Sequence, residues 1–528
     1  MSFAPFESDF AHRIYKQKYS RDGLEEWSDT VDRVVTAVGY SYIRRFMEDR
    51  VFIPGGRYLY ACGRPVHNTS NCFAMRAVDS REGWSQLMAD VTQTLMMGGG
   101  IGIDYSELRA KGSVICGTGG EASGPLSLMR AIDSMALHIR QGGSRRSALY
   151  AGLDWQHPDV FDFINMKRRT LDEQEAKAKD FNHYLSMDLT NISVHFDRLF
   201  KLSYDKGNPH AIDVFNKTLF GAVTVGDPGF SFNLHDPRES LRNACSEFTS
   251  ADSGDSCNLG TVYISRCKDK DHFAEAVKHA VKFLIRGALY TNRPTEDARQ
   301  VARKNNRIGL GLGGIGEFLL QHESGCEVTP LLREYLEIYA EVSDKTAREY
   351  SRKLGLAEPL AKRAIAPNGT TSILAETTGG IEPLFCASYL RSYWKGDEYA
   401  SEVVIDPVVN RLLAAGRSPA SIWDAYDVGF EQRVKFQADI QDFVDMGISS
   451  TVNLPSWGTP LNNESNVEEK GKVIMKYIER LRGLTVYPDG AIVGQPLQRI
   501  LLADALKFKE RVVEAREGTN CKEGVCGL

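Results

Sequence analysis

Between about residues 185 and 385, short apolar runs alternate with helical stretches, and no other feature of the chain constrains its fold more. Ile192–Val194, Val223–Val225, Ile308–Leu312 and Ile373–Ala375 read as strands, while 272–290 and 331–353 read as helices. Such alternation predicts βα units around a mostly parallel sheet, hence an α/β fold. Upstream, Trp27, Val31, Val34, Val35 and Val38 fall at helical spacing. The expected organisation is a helical segment over 1–52, an α/β body over 53–515, and a mobile tail over 516–528, whose REGTNCKEGVCGL has no apolar periodicity.

Composition removes several function classes. Apolar residues make up 42% and charged residues 25% of the 528, which excludes disordered, collagenous and coiled-coil chains. Lys and Arg total 64 against 69 Asp and Glu, for a net charge of −5, so no basic footprint marks a dedicated nucleic-acid binder. No apolar run approaches the roughly 18 residues of a membrane span. Glu7 and Asp9 stand where a secretory signal carries basic residues, and the chain is expected in the cytoplasm. Ten cysteines are too few for a disulfide scaffold, and in a reducing compartment any disulfide among them is expected to be transient and chemical.

Residues 55–150 carry repeated Gly-rich loops, among them MMGGGIGIDYSELR, GTGGEASGP and QGGSRRSAL. Glycine permits close backbone approach to a ligand, although turn chemistry also explains each loop taken alone. The most specific segment is RNACSEFTSADSGDSCNLG at 242–260. It puts Asn243, Cys245 and Glu247 at alternate positions, and in an extended loop the amide, thiol and carboxylate point to one side. A polar loop with one buried cysteine is the plainer reading of those three residues by themselves.

In company, the motif is more informative. Asn-x-Cys-x-Glu followed by Cys-Asn-Leu resembles the finger loop in the catalytic subunit of ribonucleotide reductase. NTSNCFAM around Cys72, GGGIGIDYSELRAKGS, QGGSRRSALYAGLDWQHPDVFDFI, NNRIGLGLGGIGEFL, APNGTTSILAETTGGIEPLF, ISSTVNLP, GLTVYPDG and the terminal CKEGVC are similar to segments of that family and stand in family order. The resemblance implies a ten-stranded α/β barrel of two parallel five-stranded halves, with the 242–260 loop threading its packed interior. It also implies an enzyme that converts ribonucleotides to 2′-deoxyribonucleotides for DNA synthesis.

Each residue role below is what the resemblance implies. Cys245 is the thiyl radical that takes the 3′ hydrogen, Glu247 accepts the 3′-hydroxyl proton, and Asn243 orients the ribose hydroxyls. Cys72 and Cys257 form the dithiol that supplies two electrons, and Cys521 and Cys526 on the tail re-reduce it by exchange. Ser70 and Asn71, with the loop Pro367, Asn368, Gly369, Thr370, Thr371 and Ser372, hold substrate, the latter by backbone N–H groups and hydroxyls around its phosphates. Gly142, Gly143, Ser144, Arg145 and Arg146 relay the identity of an allosteric nucleotide to the substrate base. No metal site is expected in the chain, since the C-x₄-C pair lacks companion ligands. Cys62, Cys116, Cys267, Cys326 and Cys386 match no catalytic position and are expected to be buried structural thiols.

The family differs internally in its radical source. Here Val486 precedes Tyr487 where a relay through paired tyrosines would need the first of them. GGGIGIDYS, GTGGEASGP and TVYPDG are most similar to the adenosylcobalamin-dependent class, which makes that cofactor the expected one. The alternative is a catalytic subunit served by a separate subunit holding a dimetal cofactor. Expected partners are a ribonucleotide substrate, a dNTP or ATP effector, a thioredoxin- or glutaredoxin-like reductant and a second copy of the chain, with neither membrane nor nucleic acid. A catalytically inactive nucleotide-binding homologue would need neither Cys245 nor Glu247, and a general thiol oxidoreductase would show a C-x-x-C that is absent.

Overall fold

A computed structural model describes residues 6–140, 147–180, 183–236, 238–395, 398–491 and 497–508. The chain is mixed α/β. Its strands are β1 (Phe52–Pro54), β2 (Cys72–Arg76), β3 (Gly100–Asp104), β4 (Leu149–Asp154), β5 (Thr190–Asp197), β6 (Gly229–Asn233), β7 (Leu241–Arg242) and β8 (Thr249–Ser250). There follow β9 (Asp255–Tyr263), β10 (Ile308–Gly313), β11 (Ser388–Lys395), β12 (Glu398–Ile405), β13 (Thr451–Leu454), β14 (Gly483–Pro488) and β15 (Leu497–Arg499).

Ten of these form one large, mostly parallel sheet. β2 to β6 run parallel in sequence order, as helix-connected strands do. A second parallel group contains β9 with β10 and β13 with β14. The two groups meet antiparallel, β2 against β9 and β6 against β14, and β1 lies antiparallel on β9. Between β10 and β13 the backbone is linked by the isolated parallel bridges Leu310–Arg363 and Ile365–Ile448.

Each group buries its outer face under its own helices. Asp269 caps the helix Lys270–Tyr290, and Phe273, Ala276, Val277, Ala280, Val281 and Leu284 recur along it at three- and four-residue steps to cover β9 and β10. The helices Arg81–Met96, Pro125–Leu137 and Pro209–Val225 do the same for β2 to β6. A smaller cluster lies on the opposite face, where Leu241 and Phe248 pack with Cys72, Ala74, Cys257, Leu259, Ala364 and Met446.

Two expected strands are helices. Val223–Val225 is the last turn of Pro209–Val225, ended by Gly226 at φ +83°, and Ile373–Ala375 belongs to the helix Thr371–Ala375. A run of three residues is too short to carry a period, so its flanks decide its conformation. Among the non-catalytic cysteines, Cys62, Cys326 and Cys386 are buried and Cys267 is half-buried, but Cys116 is exposed. It rides on a Gly-rich turn closed by the Val114–Glu121 bridge. Among the described residues no helix is long and apolar enough to cross a membrane.

Candidate active site

The segment 241–250 is a β-hairpin. β7 and β8 pair through Leu241–Ser250 and Arg242–Thr249, and the hairpin packs against β3, where a Cβ on Gly102 would stand 1.8 Å from the Arg242 carbonyl oxygen. Only glycine permits that approach. The tip is a turn rather than an extended loop. The Ser246 N–H donates to the Asn243 carbonyl at 3.1 Å, and Ser246 adopts φ +67°.

That turn separates three side chains expected to share one direction. Asn243 and Glu247 are buried, whereas Cys245 at the apex is exposed. Packed side chains therefore do not shield Cys245 as expected for a loop threading a barrel interior: the reversal at Ser246 carries residue 245 to the outside of the hairpin's own core. The hairpin is fixed on both flanks. Asn191 Nδ2 donates to the Ala244 carbonyl at 3.1 Å, and the Gly447 N–H donates to the Glu247 carbonyl at 2.7 Å.

Beneath the apex, Asn243, Glu247 and Cys72 are in direct contact. The Cys72 thiol donates to Glu247 Oε1 at 3.3 Å, Asn243 Nδ2 donates to Cys72 Sγ at 2.9 Å, and the Phe248 N–H donates to Asn243 Oδ1 at 3.0 Å. Cys72 and Cys257, 185 positions apart in sequence, are direct partners across the antiparallel β2–β9 pair. Partners in such a ladder have Cα atoms about 4.5–5.5 Å apart, within the span of a disulfide. Both are free thiols here.

Burial sets the protonation of this cluster. It pushes both thiols well above the usual cysteine value, reinforced by Glu247 at Cys72 and by Asp255 at Cys257. Burial also raises the Glu247 carboxyl, against the opposing pull of its hydrogen bonds. Among the described residues Glu247 Oε2 is buried without a hydrogen-bond partner, as are Asn71 Oδ1 and Asn368 Nδ2. Buried polar atoms are ordinarily paired, so three such atoms among the expected substrate residues are acceptors and a donor suited to a polar ligand.

The 367–372 loop enters the short helix Thr371–Ala375. Pro367 and Gly369 are exposed, Asn368 and Thr370 are half-buried, and Thr371 and Ser372 are buried. Asn368 adopts φ +58°, and Thr261 Oγ1 of β9 donates to its Oδ1 at 3.0 Å. Behind the helix, the Glu376 carboxylate takes the N–H groups of Glu7 at 3.0 Å and Ser8 at 2.7 Å and the Arg50 guanidinium at 2.6 Å. Ser70 faces inward, donating to Asn258 Oδ1 at 2.6 Å. Residues 142–146, Cys521 and Cys526 lie outside the described residues.

Several members of the site lie in segments similar to the family but carried no role of their own in the sequence. Asn258 joins Ser70 to Tyr58, and Arg307 joins the finger to β9 through Glu239 at 2.6 Å and Asp255 at 2.9 Å. A separate cavity of about 420 Å³, lined by Ser106, Arg109, Asp154 and His157, opens at the end of β3 remote from Gly100, the residue paired with Cys72. Burial raises Asp154 there to about 6.

Comparison with known proteins identifies the family. The sequence model of the family described as "Ribonucleotide reductase, barrel domain" matches residues 70–211, 197–329 and 333–478. A "Vitamin B12-dependent ribonucleoside-diphosphate reductase" of Mycobacterium tuberculosis is 27% identical over 507 residues, covering 84% of this chain and 71% of the relative. A protein of the same name from Thermoplasma acidophilum is 27% identical over 503 residues, covering 83% of this chain and 64% of its own length. The matched segments include β2 with Cys72, the finger hairpin and β9 with Cys257, and on that agreement the chain belongs to the ribonucleotide reductase family.

Proposed function

We propose that the chain reduces ribonucleotides to 2′-deoxyribonucleotides by thiyl-radical chemistry, with adenosylcobalamin as the radical source. The observation that carries this reading is the contact of Asn243, Cys72 and Glu247 beside Cys257 and directly under the apex that bears Cys245. The Cys245 thiyl removes the 3′ hydrogen and later returns it. Glu247 takes the 3′-hydroxyl proton through a carboxylate already at hydrogen-bond distance from a thiol. Asn243 orients the ribose hydroxyls. Cys72 and Cys257, held protonated by burial, supply two hydrogens and two electrons, so the 2′-hydroxyl leaves as water and the pair closes to a disulfide.

Bound adenosylcobalamin supplies the initiating radical by cobalt–carbon homolysis. The site suits such a group, because Cys245 is exposed and can be reached directly. Tyr487 on β14 is flanked in sequence by Val486 and Pro488, neither of them a tyrosine. The names of the relatives support the same cofactor. Substrate phosphate is assigned to the N–H groups and hydroxyls of 369–372, with Asn368 Nδ2 as a further donor, and Asn71 Oδ1, an acceptor, is assigned to a substrate hydroxyl.

The same reading takes the large sheet as a closed ten-stranded barrel of two five-stranded halves, supported by the bridges Leu310–Arg363 and Ile365–Ile448. It divides the chain into a lead-in over 1–52, the reductase body over 53–515 and a redox tail over 516–528, whose Cys521 and Cys526 reopen the buried disulfide. Residues 142–146 are assigned to the effector relay. A thioredoxin- or glutaredoxin-like reductant, a dNTP or ATP effector, a homodimer and a cytoplasmic setting complete it. The test is anaerobic conversion of a ribonucleotide to its 2′-deoxy product by the wild type and by Cys245→Ser. Product from the wild type alone is expected, and product from the serine variant overturns the assignment.

A further inference from the structure

Arg242, the residue before Asn243, is 2% exposed, and its guanidinium is entirely inside the protein. Among the described residues no carboxylate is a hydrogen-bond partner, and the partners are backbone carbonyls save one side-chain amide. Nη2 donates to Asn233 Oδ1 at 2.5 Å, to the Phe232 carbonyl at 3.1 Å and to the Arg482 carbonyl at 3.4 Å. Nη1 donates to the carbonyls of Glu239 at 2.6 Å and Leu241 at 3.1 Å. Nε has no partner among the described residues, and burial lowers the guanidinium pKa to about 10.

A buried cation hydrogen-bonded to no carboxylate is costly even with Glu239 and Asp104 near enough to favour its charge, and a hydrophobic side chain would fill the same space more cheaply. The arrangement gains a connection in exchange. One planar fork ties the end of β6 and the residue before β14 to the base of the finger, and Ser240 adds a second foothold through Asp104 Oδ2 at 3.3 Å. Asn243 follows immediately, and Cys245 stands two residues further along a short hairpin. We propose that Arg242 is a positioning residue which, by clamping the finger's base to the ends of β6 and β14, sets the height and direction of the turn carrying Asn243 and Cys245. This rests on the function proposed above.

The test compares wild type with Arg242→Ala, Arg242→Lys and Asn233→Ala in steady-state ribonucleotide reduction. A misplacement of about 1 Å at a reacting group costs on the order of 100-fold in rate. The alanine variant is therefore expected to lose about that factor in kcat while KM changes by less than about threefold. Lysine, a single point of charge that cannot span five acceptors, should restore only part. Millimolar guanidinium added to Arg242→Ala should recover kcat where urea at the same concentration does not, since a merely destabilised fold would be harmed by both. Should Arg242→Ala fail to fold, Asn233→Ala, which removes one acceptor, should lower kcat with KM retained. Wild-type kcat in the folded variants, or a loss confined to KM, overturns the inference. If the wild type itself forms no deoxyribonucleotide, the proposed function falls, and the clamp is judged by hydrogen exchange. Faster exchange of the Ser246 and Phe248 amides in Arg242→Ala supports it, and unchanged exchange refutes it.

Discussion

Glu247 shows how burial decides chemistry one side chain at a time. Its carboxyl is fully enclosed and raised above the usual glutamate value. The unfolded chain thus releases that proton at lower pH than the folded one, and between the two values the native state binds more protons. Stability falls as pH rises through this window. Glu247→Gln removes the effect, so the variant should match wild type at about pH 4 and be more stable than it at about pH 7, as read by denaturant midpoints. Its turnover should drop by about 10²–10⁴ as the positioned base is lost. A glutamine variant less stable than wild type at neutral pH would show that the carboxylate is held by favourable partners instead. The tail thiols make a second case. With a small dithiol, Cys521→Ser and Cys526→Ser should keep near-normal turnover, and with a protein reductant they should stall after about one turnover. The types and spacing of Asn243, Cys245 and Glu247 were legible in the sequence, but their directions were not. Alternation implies a shared face only for an extended chain, and a positive φ at Ser246, a residue with no special claim to it, turned the apex outward.

At the scale of elements, long periodic segments were readable and short ones were not. The helices Lys270–Tyr290 and Pro330–Lys353 announced themselves by repeating apolar steps, whereas Val223–Val225 offered two valines about a threonine, which suit strand and helix equally. Contacts between elements left no local trace. The ion pairs of Arg307 with Asp255 and Glu239 fasten β9 and β10 to the finger, and the Arg307 and Asp255 side chains are 2% and 0% exposed. Removing one partner of a buried pair leaves an uncompensated charge, at a cost of about 3–5 kcal/mol. Arg307→Met should lower the unfolding free energy by that amount in urea titration, and a change within about 0.5 kcal/mol would mean the pair is not structurally significant.

At the scale of the whole molecule, the parallel sheet was expected from βα alternation, yet its arrangement follows from contacts that no window of sequence contains. Cys72 meets Cys257 because β2 closes antiparallel on β9, joining two parallel groups that each bury their outer faces separately. The sheet thereby brings a dithiol, a carboxylate and an amide together beneath an exposed cysteine. If the radical is delivered to it directly, Tyr487→Phe should retain most of the activity. The most direct measurement is formation of deoxyribonucleotide by the purified chain under anaerobic conditions with adenosylcobalamin, an effector nucleotide and a dithiol. The account predicts product that depends on adenosylcobalamin and needs no second protein. Absence of product until a metal-containing partner subunit is added, together with severe loss in Tyr487→Phe, would contradict it.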